Sequence, residues 1–425
     1  MSERPRAVVV VTGSELVRGE RTDRNGPFLA AEVLSHGLEP ARITIVGDAP
    51  AELETVLREG MEADACLVSG GLGPTHDDRT VELVARAAGL ELVVDEALER
   101  EIESISRTVA ERLRRPYADF APGVTKQATR PATAVSIGLA GTAPGLVFRA
   151  PTGCSVVVLP GPPGELRRLW PTALASEPMR ELLSRAQPPG RRVLRLFGVS
   201  ESAVARALEE AGGDGSGVEA TICAREFEIH VDLLAEPDAE ERAEALEAAL
   251  AERLEQWLFA RDEQRVEELV LQLAAARGLR LATAESCTGG MVAARLTGVP
   301  GSSTSFVGGV VAYADEVKRS ELAVPAKLLA EHGAVSAEVA AAMAEGARGR
   351  LDADVAVAVT GIAGPDGGTP EKPVGRVHIH AVGPDGALAR MLDLPGEREQ
   401  IRVRATVTAL HLLRALLLGS RDEDA

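Results

Sequence analysis

Ala282-Thr283-Ala284-Glu285-Ser286-Cys287-Thr288-Gly289-Gly290 is the stretch whose reading decides this 425-residue chain. The apolar run Leu279 to Ala282 reads as a strand, and Met291 to Leu296 opens a helix. A strand, a tight glycine-bearing turn and a helix expose a hydroxyl beside unpaired helix N–H groups. Those groups hold a phosphate or a developing oxyanion. The same residues fit a plainer reading, in which Ser286 and Thr288 only cap the helix.

Around that stretch, Asp262 to Leu418 alternates apolar runs with helical periodicity. Strands are predicted at Leu279–Ala282, Ser305–Tyr313, Val355–Val359 and Arg376–Val382. Helices are predicted at Val266–Arg277, Met291–Leu296, Ser336–Leu351 and Gln400–Leu417. This is an α/β pattern, in which loops at the carboxyl ends of strands converge on one crevice. Three further polar loops fall at such ends: Tyr313 to Lys318, Thr360 to Gly368, and Lys372 to Gly375. A serine, a lysine, a tyrosine and a threonine meeting there need no metal, because a desolvated lysine can serve as base for a serine. Cys287 is the intrinsically better nucleophile, but no His/Asn partner set accompanies it. His378 and His380 alternate along one strand, which fits either a metal pair lacking a third ligand or two strand-face histidines.

The first segment has the same rhythm. Strands are predicted at Ala7–Val11, Ile43–Val46 and Ala65–Ser69, with helices at Gly26–His36, from an Asp48 cap to Met61, and up to about Ala88. Such alternation predicts a parallel sheet covered on both faces. Glu96 to Arg115 reads as a long exposed helix, and Gly145–Arg149 with Cys154–Leu159 as a hairpin. Ser69-Gly70-Gly71-Leu72-Gly73-Pro74-Thr75-His76-Asp77-Asp78 lacks the Lys-Ser/Thr pair of a Walker A loop. Its amides can still cradle a diphosphate while Asp77 or Asp78 holds Mg²⁺. Equally, the two aspartates fit complementing a helix dipole.

Pro188-Pro189-Gly190 marks a linker. Beyond it Val193–Phe197, a Ser200-capped helix to Ala211, strands Glu219–Cys223 and Glu226–Leu234, and a helix Ala239–Phe259 make a small acidic β-α-β-β-α unit, read as a structural spacer. Length predicts two or three domains. The net charge of −18 disfavours nucleic acid and anionic membranes as partners. No run is long enough to span a bilayer, no signal-peptide pattern opens the chain, and the four scattered cysteines form no metal spacing, so a reduced cytoplasmic setting is expected. Cys66, Cys154 and Cys223 lie in apolar runs and are expected in cores, and the tail Arg421 to Ala425 is expected to fray.

On the four C-terminal motifs, Leu271 to Leu412 resembles the deamidase domain of the CinA (competence/damage-inducible) family, also found alone as PncC. The resemblance implies hydrolysis of nicotinamide mononucleotide to nicotinic acid mononucleotide and ammonia, with no cofactor. It implies Ser286 as nucleophile, Lys318 as general base, and Tyr313 and Thr360 assisting. Glu285, Thr288, Gly289, Gly290, Gly361 and Gly364 would line the substrate, with Arg398 and Arg402 on its phosphate. The family commonly reads Tyr-Ser-Asn-Glu-Val-Lys where this chain has Tyr313-Ala314-Asp315-Glu316-Val317-Lys318, a change that bears on substrate contacts and on Lys318.

Ala7 to about Trp170 resembles the molybdopterin-binding-like (MoaB/MogA) domain of the same family, associated with cleaving the diphosphate of ADP-ribose using a divalent metal and K⁺. Gly70, Gly71, Gly73 and Thr75 would then contact the diphosphate. Asp77 and Asp78 would serve the metal or activate water, and Glu15, Asn25, Lys126 and Glu165 would line the site. The family usually has Asp at Ser14 and Asn at Gly138. The middle unit corresponds to the family's KH-like linker. The resemblance implies three domains, residues 1–172, 190–259 and 262–418, and a homodimer. An alternative keeps nucleotide or molybdopterin binding at one or both sites without turnover.

Overall fold

The computed structural model describes residues 4–419, so the tail from Arg421 lies outside the described residues. The chain divides into two compact units, Met1–Pro189 and Gly190–Ala425, at the expected linker.

The first unit contains β1 (Arg6–Thr12), β2 (Glu39–Val46), β3 (Ala65–Ser69), β4 (Leu92–Val94), β5 (Thr129–Pro131), β6 (Val135–Leu139), β7 (Pro144–Arg149) and β8 (Ser155–Leu159). Its main sheet runs β2-β1-β3-β8-β7-β6. The first four strands are parallel, and β7 and β6 turn antiparallel at one edge. Strand alternation divides the core. Val8, Val10, Cys66 and Val68 pack on Leu53, Leu57 and Leu83, while Val9, Val11 and Leu67 pack on Leu29, Leu166 and Trp170 on the other face. Helices Pro163–Leu174 and Glu177–Leu183 supply Trp170, Met179 and Leu182 to that core, so the unit continues past residue 172.

Asp48 does not cap the next helix, which starts at Pro50. Its carboxylate instead accepts from the hydroxyls of Thr12 at 3.1 Å and Ser14 at 2.6 Å. The helix Glu96–Leu113 is capped by Asp95 and buries a stripe of Leu98, Ile102 and Ala110.

The second unit begins with β9 (Gly190–Phe197), β10 (Val218–Arg225), β11 (Glu228–Ala235) and β12 (Leu258–Ala260), in the order β10-β11-β9-β12, with helices Glu201–Glu210 and Glu240–Arg253. Ser200 caps the first helix as expected. The second stops at Arg253, short of Phe259, because Leu258–Ala260 joins β9 as an edge strand. Cys223, expected in a core, is only half-buried on β10.

The remaining strands are β13 (Leu281–Glu285), β14 (Phe306–Val311), β15 (Val355–Gly361), β16 (Arg376–Gly383) and β17 (Gly386–Asp393). They form the order β14-β13-β15-β16-β17. The first three are parallel and the last two antiparallel, so the carboxyl ends of β13, β14 and β15 share one edge. Val355, Val357 and Val359 face the last helix, Arg398–Leu418, while Ala356 and Ala358 face the helix Ala337–Arg350. Strand β17 and the short helices Asp315–Leu322 and Ala326–His332 were not anticipated. Among the described residues no helix is long and apolar enough to cross a membrane.

Candidate active site

Strand β13 runs to Glu285, three residues beyond the expected end. The Glu285 side chain is buried, and its carboxylate accepts from the amides of Gly290 at 2.9 Å, Val292 at 3.0 Å and Ala293 at 2.8 Å. This corrects both readings of the turn. The amides at the start of the helix Met291–Thr297 are not free for an anion, and neither Ser286 nor Thr288 caps them. A strand-end carboxylate ahead of Gly-Gly and a helix was the available signal. Gly289 at φ +62° and Gly290 at φ +98° take the left-handed conformations that turn the chain into the helix.

Ser286 is 8% exposed, and its amide donates to Val359 O at 2.9 Å. Cys287 faces the opposite way, into the apolar core. Burial pushes its thiol up to about 11, only partly offset by its own amide and that of Thr288, which counts against it as the rival nucleophile.

Register defines a row across the sheet edge. Glu285 pairs with Val359, so Ser286 is level with Thr360, and Thr360 pairs with His378. Alternation from Ala282 and Ala284 carries Ser286 to the face that bears Thr360 and His378. Lys318 comes to that face on the helix Asp315–Leu322, only 1% exposed. Its Nζ donates to Tyr313 O at 3.1 Å and lies 3.4 Å from Asp315 Oδ1. No hydrogen bond joins it to Ser286 Oγ among the described residues. Thr360 is buried and donates to Ala334 O at 2.7 Å, whereas Tyr313 is 61% exposed.

The last helix braces these loops. Arg398 donates to Gly364 O at 2.6 Å and Tyr313 Oη at 3.1 Å. Arg402 donates to Cys287 O at 3.1 Å, Thr288 O at 3.0 Å and Glu399 Oε2 at 3.0 Å. Gly361 permits close packing, because a Cβ there would come within 2.7 Å of Val377 Cγ2 and 2.8 Å of Arg376 O. Among the described residues no group of three or more His, Cys, Asp or Glu is arranged to hold a metal, and His378 and His380 sit as strand residues.

In the first unit, Gly70 at φ +107° and Gly71 at φ +65° leave β3, and a Cβ on Gly71 would meet Thr80 Oγ1 at 2.1 Å. Asp78 accepts from the Thr75 amide at 2.9 Å, and the Thr75 hydroxyl donates to both Asp77 and Asp78. That hydrogen bond, more than the nearby charges, holds the Asp77 carboxyl below its usual range. Lys126 Nζ donates to Thr75 O. A cavity of about 360 Å³ is lined by Gly71, Gly73, Asp78 and Lys126, and a second of about 610 Å³ by Glu15, Asn25, Ser69 and Gly161.

Asn25 ties the loops together, donating to Ser69 Oγ at 2.9 Å and Gly161 O at 2.7 Å. Burial raises the carboxyl of Glu165, with Arg168 opposing, beside Gly141. Where the family was expected to place Asp, Ser14 hydrogen-bonds the carboxylate of Asp48, so the turn keeps a carboxylate from another strand end. Gly138, at φ +105°, sits in the irregular part of the β6–β7 register.

Residues 263–417 match the family model described as CinA C-terminal domain, residues 8–179 the probable molybdopterin binding domain, and residues 191–260 the damage-inducible protein CinA KH domain. A CinA-like protein of Mycolicibacterium paratuberculosis is 45% identical over 430 residues, covering 97% of this chain and 98% of that one. One from Mycobacterium tuberculosis is 44% identical over 431 residues, covering 99% of each. The crystal structure of competence/damage inducible protein CihA from Agrobacterium tumefaciens is 42% identical, covering 37% of this chain and 99% of that chain with a TM-score of 0.35.

Proposed function

The chain belongs to the CinA family, and from that premise we propose that its C-terminal domain hydrolyses the carboxamide of nicotinamide mononucleotide. The observation that carries this reading is the common sheet face of Ser286, Thr360 and buried Lys318, at the carboxyl edge of the parallel strands. Ser286 Oγ attacks the amide carbon as its proton passes to Lys318. The C–N bond then breaks, and Lys318 returns the proton to the departing nitrogen as ammonia. Water cleaves the resulting ester to nicotinic acid mononucleotide and restores the serine. Lys318 must turn from Tyr313 O toward Ser286 for the first transfer, a tightening common on substrate binding.

The test is ammonia release from nicotinamide mononucleotide by the full chain in EDTA. Release by wild type and its loss in Ser286→Ala and Lys318→Ala are expected. No release by wild type overturns the reading and leaves a nucleotide-binding protein.

A second reading is favoured by the glycine loop, Lys126 and the adjoining cavity: the N-terminal unit cleaves the diphosphate of ADP-ribose. Mg²⁺ is held by one or two carboxylates together with substrate phosphates, and the Asp77–Asp78 pair beside the loop fits that donor set. When bound, the ion would draw charge from the diphosphate. Lys126 and the loop amides would orient the diphosphate for attack by water.

A further inference from the structure

The groups expected to receive the mononucleotide phosphate also brace the catalytic loops, although each arginine keeps N–H donors beyond those it spends there. Glu285 covers the helix amides, and Arg398 and Arg402 donate to Gly364 O, Tyr313 Oη, Cys287 O and Thr288 O. At the other end of the row from Ser286, His378 is 8% exposed, and no hydrogen bond or ion pair engages its ring among the described residues. Lys372 is near enough for its charge to act on that ring. Two of the three ammonium donors of Lys372 fix the turn before the helix Ala337–Arg350, reaching His332 O at 2.6 Å and Val335 O at 2.7 Å. The third is uncommitted. Thr360 pins the same turn through Ala334 O, so the catalytic row and the lysine share one support.

We infer that His378 and Lys372 form the subsite for the phosphate monoester of the substrate, an inference that rests on the deamidase reading of Ser286. The distance suits it. Ser286 and His378 are separated by two strand spacings, about 9–10 Å, the scale of the amide-to-phosphate separation in a mononucleotide.

The charge suits it as well. Burial, then Arg376 and Lys372, hold His378 below the usual imidazole range, with Glu338 and Asp393 pulling the other way. Asp393 is paired with Arg376, and Glu338 lies 3.5 Å from the His332 ring. Burial disfavours any charge at His378, and only the nearby cations Arg376 and Lys372 act in favour of an anion there. A phosphate there would accept from Lys372 and draw a proton onto His378.

The test compares kcat/KM for nicotinamide mononucleotide and nicotinamide riboside, which lacks the phosphate, in wild type, Lys372→Met, Lys372→Arg and His378→Asn. The preference for the mononucleotide is expected to fall roughly 10- to 100-fold in Lys372→Met and His378→Asn, and to return in part in Lys372→Arg. A merely structural role would lower both substrates together, and an unchanged preference in Lys372→Met and His378→Asn overturns the subsite. A measurement independent of turnover follows the His378 ring resonance as inorganic phosphate is added to the full chain. A saturable shift, lost in Lys372→Met, supports the subsite whatever wild type does to the amide. No shift overturns it.

Discussion

Arg402 donates to the carbonyl oxygen of Thr288 at 3.0 Å, and through that bond the last helix holds the turn that carries Ser286. The same guanidinium reaches Cys287 O at 3.1 Å, so a planar fork spans two successive carbonyls. A lysine cannot reproduce that geometry. Arg402→Lys is expected to lower kcat for deamidation by about 10-fold or more while changing stability by about 1 kcal/mol or less, because the turn loses its placement rather than its core. Single-turnover kinetics beside urea unfolding check it, and equal losses in rate and folded fraction would reject it.

Glu285 offers a sharper separation of roles. A substrate-lining residue should affect KM and leave unfolding alone, whereas a buried carboxylate that accepts three amides should do the reverse. Hydrogen bonds to a charged acceptor are worth about 1.5–3 kcal/mol each, less where they share one carboxylate and water can replace some of them, so Glu285→Ala, which abandons all three, is expected to cost the second unit about 3–5 kcal/mol. Urea denaturation gives the number. A stability change under about 1 kcal/mol with a raised KM would return Glu285 to the substrate.

Periodicity and glycine punctuation made most of this architecture legible, since alternating apolar runs such as Ala7–Val11 and Val355–Val359 are buried strands whatever surrounds them. The candidate site was legible as residues and not as contacts. Ser286 and Thr360 follow adjoining strand positions, and Lys318 is buried on the helix Asp315–Leu322, whose Leu322 packs with Ala284 and Ala358. The engagement of Arg398, Arg402 and Glu285 with backbone groups depends on how the last helix crosses the sheet edge, which no local pattern encodes. β17 was missed because Gly386–Asp393 is an edge strand with only Leu388 buried, so its apolar alternation is faint. Asp48 was misplaced for a related reason: a helix-cap residue is also a good acceptor for hydroxyls from a neighbouring strand end.

The KH-like part grips the last helix through a buried polar contact with a pH signature. Glu228 Oε1 lies 2.7 Å from His411 Nε2, and the His411 ring stacks on Phe197 at 3.8 Å. Burial, only partly offset by Glu228, pushes His411 down to about 4, so at neutral pH it is a neutral imidazole donating to a carboxylate. Burial alone would raise Glu228, but hydrogen bonds from His230 and His411 bring it to about 2. In both cases the unfolded chain binds the proton first as pH falls. Stability is therefore lost from about pH 6.5 toward 4 through His411, and from about 4.5 toward 2 through Glu228. His411→Gln is expected to flatten the first window by on the order of 1–3 kcal/mol. Urea unfolding between pH 7 and 4 measures it, and parallel curves for wild type and variant would refute the assignment.

The two units predict independent chemistry. Lys126 bonds Thr75 O within the first unit and lines its glycine-loop cavity. Lys126→Met keeps the apolar stem and removes only the ammonium that would meet a diphosphate. ADP-ribose hydrolysis with Mg²⁺ is expected to fall about 10- to 100-fold, with ammonia release from nicotinamide mononucleotide within about 2-fold of wild type. Both rates are measured on one preparation, by AMP and by ammonia. If both fall together, the first unit supports the second and their sites are coupled. If AMP formation is unchanged, Lys126 acts only on the Thr75 turn. Because the exposed Thr75–Asp77–Asp78 cluster is already hydrogen-bonded within itself, that second outcome would leave the loop amides as the diphosphate's principal donors.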